Sequence, residues 1–283
     1  MCVSGIRSGD RFLSFDRPVI MGILNVTPDS FSDGGLWRDC GKAYDHAARM
    51  LEEGARIIDV GGESTRPGAS DVDASEEMDR VIPVVERIAK NLDVMISVDT
   101  SRPEVIAEAV RHGAHVWNDI RALRLEGAVE EAGRLDIPVI LMHMQGKPRT
   151  MQVAPHYQDV VKEVGDFLLE RAKAAMDAGV RKENILLDPG FGFGKSAEDN
   201  YRLLDHLQDL VSLGYPVLSA LSRKSMLGAA TGIKKASDRV VSSVAGHLIS
   251  VMKGAVMVRV HDVAETKEAL DVYNAMTASR RSA

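Results

Sequence analysis

Short apolar runs recur along the chain with longer amphipathic stretches between them, and this rhythm predicts eight strands with connecting helices. The runs are VIMGILN (19–25), ARIIDVG (55–61), DVMISVD (93–99), AHVWN (114–118), PVILMH (138–143), NILLD (184–188), PVLSAL (216–221) and AVMVRV (255–260). They are continuous rather than alternating, as expected of parallel strands covered on both faces. Amphipathic stretches at 44–54, 75–90, 103–113, 158–179 and 237–254 predict helices, several of which close at Gly. Ser75 marks the start of the second, although Glu77 falls one residue short of a full capping box. Eight strands alternating with helices predict an α/β fold, a single-domain (β/α)8 TIM barrel. A doubly wound open sheet is the alternative, and the eightfold count favours the barrel. No linker or low-complexity block divides the chain, so one domain is expected, with its core over 17–276 and a polar tail, 277–283, that frays.

Composition narrows the picture. The 283 residues suit one barrel of about 250 residues. Aromatics are only 5%, so the core must be built from Val, Ile, Leu, Met and Ala. A net charge of −6 with no basic stripe argues against a nucleic-acid binder, so an anionic substrate would have to be drawn by a few local cations. Cys2 and Cys40 form no CxxC pair, and reduced thiols are expected. The opening MCVSGIRSGDRFLSF has no apolar h-region, and the apolar stretch 240–258 is broken by His247 and Lys253. These features predict a cytoplasmic protein without a membrane span.

Polar residues cluster where the strands end: Asn25, Asp99, Asn118, Asp119, His143, Asp188, then Ser222, Arg223 and Lys224, and finally Arg259 and His261. In a parallel barrel these ends share one rim, where active sites are built. Taken singly, an Asp or Asn after a strand is most often a cap or turn residue, and Asp59, Asp119 and His143 are assigned that structural role. The joint pattern is what points to a site. Two loops, NVTPDSFSDGG (25–35) and GGESTRPGAS (61–70), have the composition of a mobile cover, with Phe31 and Arg66 on them. GFGFGKS (190–196) is not a Walker A motif, because the required first Gly is Pro189, and a dinucleotide fingerprint fails on spacing. Its glycines suit a close approach of backbone to a ligand. The histidines lack zinc-ligand spacing. Magnesium, which prefers oxygen ligands and substrate phosphates, could be served by Asn25.

The segments NVTPDSFSDGG, DVGGESTRPGA, SVDTSRPEV, NDI, LMHMQG, LDPGFGFGK, LSRKSMLG and VRVHDV follow one another between residues 25 and 263. Together they resemble the dihydropteroate synthases of the bacterial type, over nearly the whole chain. The resemblance implies condensation of 6-hydroxymethyl-7,8-dihydropterin diphosphate with p-aminobenzoate, giving 7,8-dihydropteroate and diphosphate for folate biosynthesis. It also implies Mg²⁺, a homodimer, and inhibition by sulfonamides. Carried over by position, Asp99, Asn118, Met142, Asp188, Lys224 and Arg259 would hold the pterin. Asn25 (through the metal), Thr65, Arg66, Arg259 and His261 would hold the diphosphate. Pro28, Phe31, Thr65, Pro67, Phe193, Lys224 and Ser222 would form the p-aminobenzoate end, with Ser222 taking the carboxylate near a helix start. Asp99, Lys224, Arg259 and His261 are the implied catalytic set, in a dissociative mechanism that needs no nucleophilic triad.

One departure is Ala220, where many relatives carry Gly; the added methyl is expected to trim the pterin floor slightly. Two rival readings are a pterin-binding barrel feeding a methyl group to a corrinoid protein, and a catalytically silent homologue acting as a binding module. The first has no use for Arg66, Ser222 and LSRKS together, and the second leaves the reactive positions unexplained.

Overall fold

The computed structural model describes residues 3–27, 36–63, 72–146, 151 and 155–281. The chain opens with an antiparallel hairpin that the apolar pattern does not predict, β1 (Gly5–Ser8) and β2 (Arg11–Ser14). All eight predicted strands then follow: β3 (Val19–Asn25), β4 (Ile57–Gly61), β5 (Met95–Asp99), β6 (Val116–Asp119), β7 (Val139–Met142), β8 (Ile185–Asp188), β9 (Leu218–Ser219) and β10 (Met257–Val260). Parallel ladders join β3 through β8 in chain order, and β10 lies between β3 and β9. A parallel bridge between Leu187 and Val217 closes the ring from β8 to β9. The expected barrel is the fold.

Helices wrap the outside. The second, α2 (Ala74–Asn91), is capped by Asp73, whose side chain accepts from Glu76 N at 2.8 Å. This corrects the start read at Ser75, since Asp73 caps the free N–H groups from two residues earlier. The last helix, α10 (Val263–Arg281), carries residues 277–281 of the stretch read as a polar tail.

Strand periodicity divides the interior into two shells. Ile20, Ile58, Val60, Ile96, Val98, Trp117, Leu141, Leu187 and Val258 point outward and pack with the helices. Met21, Ile57, Met95, Val116, Ile140, Leu186, Leu218 and Met257 point inward and fill the barrel, joined by Ile6 and Leu13 of the hairpin. The hairpin therefore plugs the N-terminal end. It is tied there by Asn184, which accepts from Arg7 N at 3.0 Å and donates to Arg7 O at 2.8 Å. Burying Ile6 completely is worth about 1.5–3 kcal/mol.

Candidate active site at the open end of the barrel

Two residues beyond the inward apolar layer, the same face of five of the eight strands turns polar. Ile57 is followed by Asp59, Met95 by Ser97 and Asp99, Val116 by Asn118, Leu186 by Asp188 and Met257 by Arg259. Strict alternation thus places these side chains directly above an apolar floor.

Arg259 organises the layer. Its Nε donates to Asp59 Oδ2 at 2.6 Å and its Nη2 to Asp99 Oδ2 at 2.8 Å, while Asn118 Nδ2 donates to Asp59 Oδ2 at 3.1 Å. Burial opposes the guanidinium charge, but Asp59 and Asp99 outweigh it and hold Arg259 above its ordinary pKa. Asp99 is pushed upward chiefly by burial, against the pull of Arg259. Asp59 is fully buried and joins β4, β6 and β10 through one oxygen, which overturns its assignment as a cap or turn residue. The signal was available: Asp59 lies inside an apolar strand in phase with inward-facing Ile57.

Across the barrel, Asp188 accepts from Gly190 N at 2.7 Å and is raised by burial, with Lys224 acting the other way. Lys224 is pushed down to about 8 by burial, against the attraction of Asp188. Its ammonium donates to Phe191 O and stands 4.6 Å from the centroid of the Phe193 ring. Phe193 packs on an apolar shelf of Ile120, Met142, Met144 and Met151, and Met142 pairs in register with Asp188 of the polar layer. On the opposite wall, Gly61 separates Asn25 from Asp99: a Cβ there would lie 3.7 Å from Asn25 Oδ1 and 3.6 Å from Asp99 Cβ.

The end of β9 is joined to the end of β10. Ser222 is buried, and its hydroxyl is engaged by His261 N at 3.2 Å and His261 Nδ1 at 3.0 Å. The following helix, α8 (Ser225–Thr231), starts three residues later with Lys224 at its N-cap, so Ser222 lies two residues ahead of the cap. Between them Arg223 adopts φ +58°, a conformation unfavourable for a side-chain-bearing residue. It is held there by Asp262, which accepts from Arg223 Nε at 3.0 Å, and by Ser243 Oγ, which accepts from Arg223 N at 2.8 Å. The pair Ser222–His261 and the pair Arg223–Asp262 tie the ends of β9 and β10 together.

Asp119 keeps its structural assignment, accepting from Arg121 N at 2.8 Å and Leu123 N at 2.6 Å to hold a turn. His143 does likewise, buried against Phe167 and held to Lys195. In the segment 190–196, Gly190 (φ +68°) passes so close to β7 that a Cβ would lie 1.9 Å from His143 O. That close approach is to the protein's own backbone. Pro28, Phe31, Thr65, Arg66 and Pro67 lie outside the described residues.

The layer offers carboxylates and an amide facing two cations on a water-poor floor, an arrangement matched to a flat heterocycle carrying several donors and acceptors, with an anionic group beyond it. Among the described residues no three His, Cys, Asp or Glu side chains form a metal cage, and no helix is long and apolar enough to cross a membrane.

The pterin binding enzyme family matches residues 21–261. The dihydropteroate synthase of Haemophilus influenzae is 51% identical over 268 residues, covering 95% of this chain and 97% of that protein. Among solved structures, Xanthomonas albilineans dihydropteroate synthase with 4-aminobenzoic acid superimposes with a TM-score of 0.92 at 51% identity, covering 98% of this chain and 99% of that one. The Yersinia pestis enzyme in a sulfonamide drug complex gives 0.92 at 48% identity, with coverage of 97% and 99%. With an inward polar layer on a closed barrel and these relatives at full length, the chain belongs to the pterin binding enzyme family and, within it, to the dihydropteroate synthases.

Proposed function

We propose that this chain joins 6-hydroxymethyl-7,8-dihydropterin diphosphate to p-aminobenzoate, releasing diphosphate and forming 7,8-dihydropteroate. The observation that carries this reading is the layer of Asp59, Asp99, Asn118, Asp188, Lys224 and Arg259 above the sealed apolar floor. Asp188 accepts from the aminopyrimidine edge of the pterin, and Asn118 and Lys224 complete that edge. Met142 covers the ring face, with Arg259 reaching towards the diphosphate. Phe193, Ser222 and Lys224 bound the p-aminobenzoate end, together with Pro28, Phe31, Thr65 and Pro67. Arg66 and His261 join Thr65 at the diphosphate.

The reaction is dissociative. The bond between the exocyclic methylene and the diphosphate oxygen breaks first, and its electron pair leaves with diphosphate. The resulting cation is delocalised into the pterin ring and favoured by the carboxylate of Asp99. The arylamine nitrogen then attacks the methylene and loses a proton. Neither a nucleophilic side chain nor a general-base triad is required. Mg²⁺ would be held by Asn25 and by diphosphate oxygens, where it would neutralise the leaving group's charge. A lone amide oxygen beside Asp99 suits an ion that keeps most of its shell for water and substrate.

The protein acts as a cytoplasmic homodimer. Support for the dimer comes from an exposed apolar stripe, Val241, Ile249 and Met252 on α9 (Val240–Met252), beside Val272 and Met276 on α10. Light scattering should give twice 30.8 kDa, and a monomer mass rejects this part of the reading. The reaction itself is tested with purified protein, both substrates and Mg²⁺. Product and diphosphate should appear together, depend on Mg²⁺ and be suppressed by a sulfonamide. Pterin binding without product would favour the silent homologue.

A further inference from the structure

The lysine of GFGFGKS is only 3% exposed, yet no substrate contact in the proposed reaction uses it. Its ammonium has three protons and finds three good acceptors: Gly190 O at 2.9 Å, Phe193 O at 3.1 Å and His143 Nδ1 at 2.9 Å. His143 can accept at Nδ1 only as a neutral ring with its proton on Nε2. Burial, followed by the charge of Lys195, pushes His143 down to about 2 and so favours that form. The same segment is gripped from outside. Asn200 Oδ1 accepts from Gly192 N at 2.7 Å, and Tyr157 OH donates to Gly194 O at 2.6 Å. What the segment presents inward is the Phe191 carbonyl, which receives the Lys224 ammonium, and the Phe193 ring, 4.6 Å from it.

We propose that Lys195 is a positioning residue for the p-aminobenzoate end of the site. By gathering two loop carbonyls and the end of β7 onto one buried ammonium, it fixes Phe191 and Phe193 against Lys224 without touching either substrate. The inference rests on the placing of Phe193 at the p-aminobenzoate end. Burial, reinforced by Lys224, pushes Lys195 down to about 7, as expected of an ammonium sharing a dry site with a second cation.

The test compares wild type, Lys195→Met, Phe193→Ala and the double variant, with melting to verify folding. In Lys195→Met, KM for p-aminobenzoate should rise about tenfold, while affinity for a pterin analogue moves less than about threefold. The double variant should then be only slightly worse than Phe193→Ala, because most of the first change acts through the second. An unchanged KM, additive effects, or parallel losses at both ends each overturn the inference. If Lys195→Met does not melt cooperatively, Tyr157→Phe loosens the same segment at a milder point and should raise the same KM alone; no rise overturns the inference. A wild type that makes no product removes the proposed reaction and the inference with it, whereas an active wild type with indifferent variants removes the inference only.

Discussion

The two ends of the barrel are made from the same strands and face the same interior, yet they hold opposite chemistry. At the closed end, Ile57, Met95, Val116, Leu186 and Met257 meet the hairpin residues Ile6 and Leu13 in an apolar plug. Two residues further along the same strands, Asp59, Asn118, Asp188 and Arg259 share one polar layer. The closed end lowers the free energy of the fold by removing apolar surface from water. The open end gathers charges whose desolvation works against stability unless they are paired. Binding and stability are therefore separated by about two residues, or roughly 7 Å of strand.

That separation can be broken from either side. Ile6→Ala should cost about 3 kcal/mol of stability, since it opens a cavity in a fully buried position. In urea melts the midpoint should drop, while kcat/KM at a temperature where the variant is folded stays within about twofold. A large change in turnover would mean that the plug and the site are coupled. Conversely, Asp188→Asn should weaken binding of a pterin analogue by about 2 kcal/mol, roughly thirtyfold, with a smaller effect on melting. Unchanged affinity would remove Asp188 from the pterin edge.

A third change sharpens the contrast electrostatically. His247 is buried on α9 and pushed down to about 3 by burial, with His261 and Lys224 adding to the effect. Between its ordinary value of 6.5 and about 3, the unfolded chain binds a proton that the folded protein refuses. Stability therefore falls as pH falls through that window. Relative to wild type, His247→Leu should gain about 1.4 kcal/mol for each pH unit below 6.5, read by urea melts at pH 7 and pH 5. An unaltered pH dependence would show that the histidine is not held neutral. The smallest effect belongs to the closed end: Arg11 meets Asp93 at 2.8 Å, but both are substantially exposed. Arg11→Ala should cost no more than about 0.5 kcal/mol by the same melts. A loss several times larger would make the hairpin's attachment ionic rather than apolar.

Much of the architecture is legible in the sequence because parallel barrel strands bury both faces and so appear as unbroken apolar runs. The hairpin escapes that test. GIRS and RFLS are four residues each, and each buries only part of itself. Asp59 escapes for another reason. A carboxylate in a strand is readily taken for a turn residue, and only its phase with Ile57 reveals that it points inward. The engagement of Ser222 by His261 and the left-handed backbone of Arg223 depend on how β9 and β10 end together, 39 residues apart in sequence. No local pattern encodes that meeting. The polar strand ends, by contrast, form a layer because the topology brings every such end to one rim.

The closure between β8 and β9 has a mechanical consequence. β5 and β6 are laddered through Asp99 and Asn118, so the span between those two side chains is a fixed ruler. The ring is clasped between β8 and β9 by the single bridge from Leu187 to Val217, and Asp188 and Lys224 stand on opposite sides of that clasp. Asp99 and Asn118 are thus spaced by a continuous ladder, whereas Asp188 and Lys224 face each other across the seam with the fewest backbone ties in the ring.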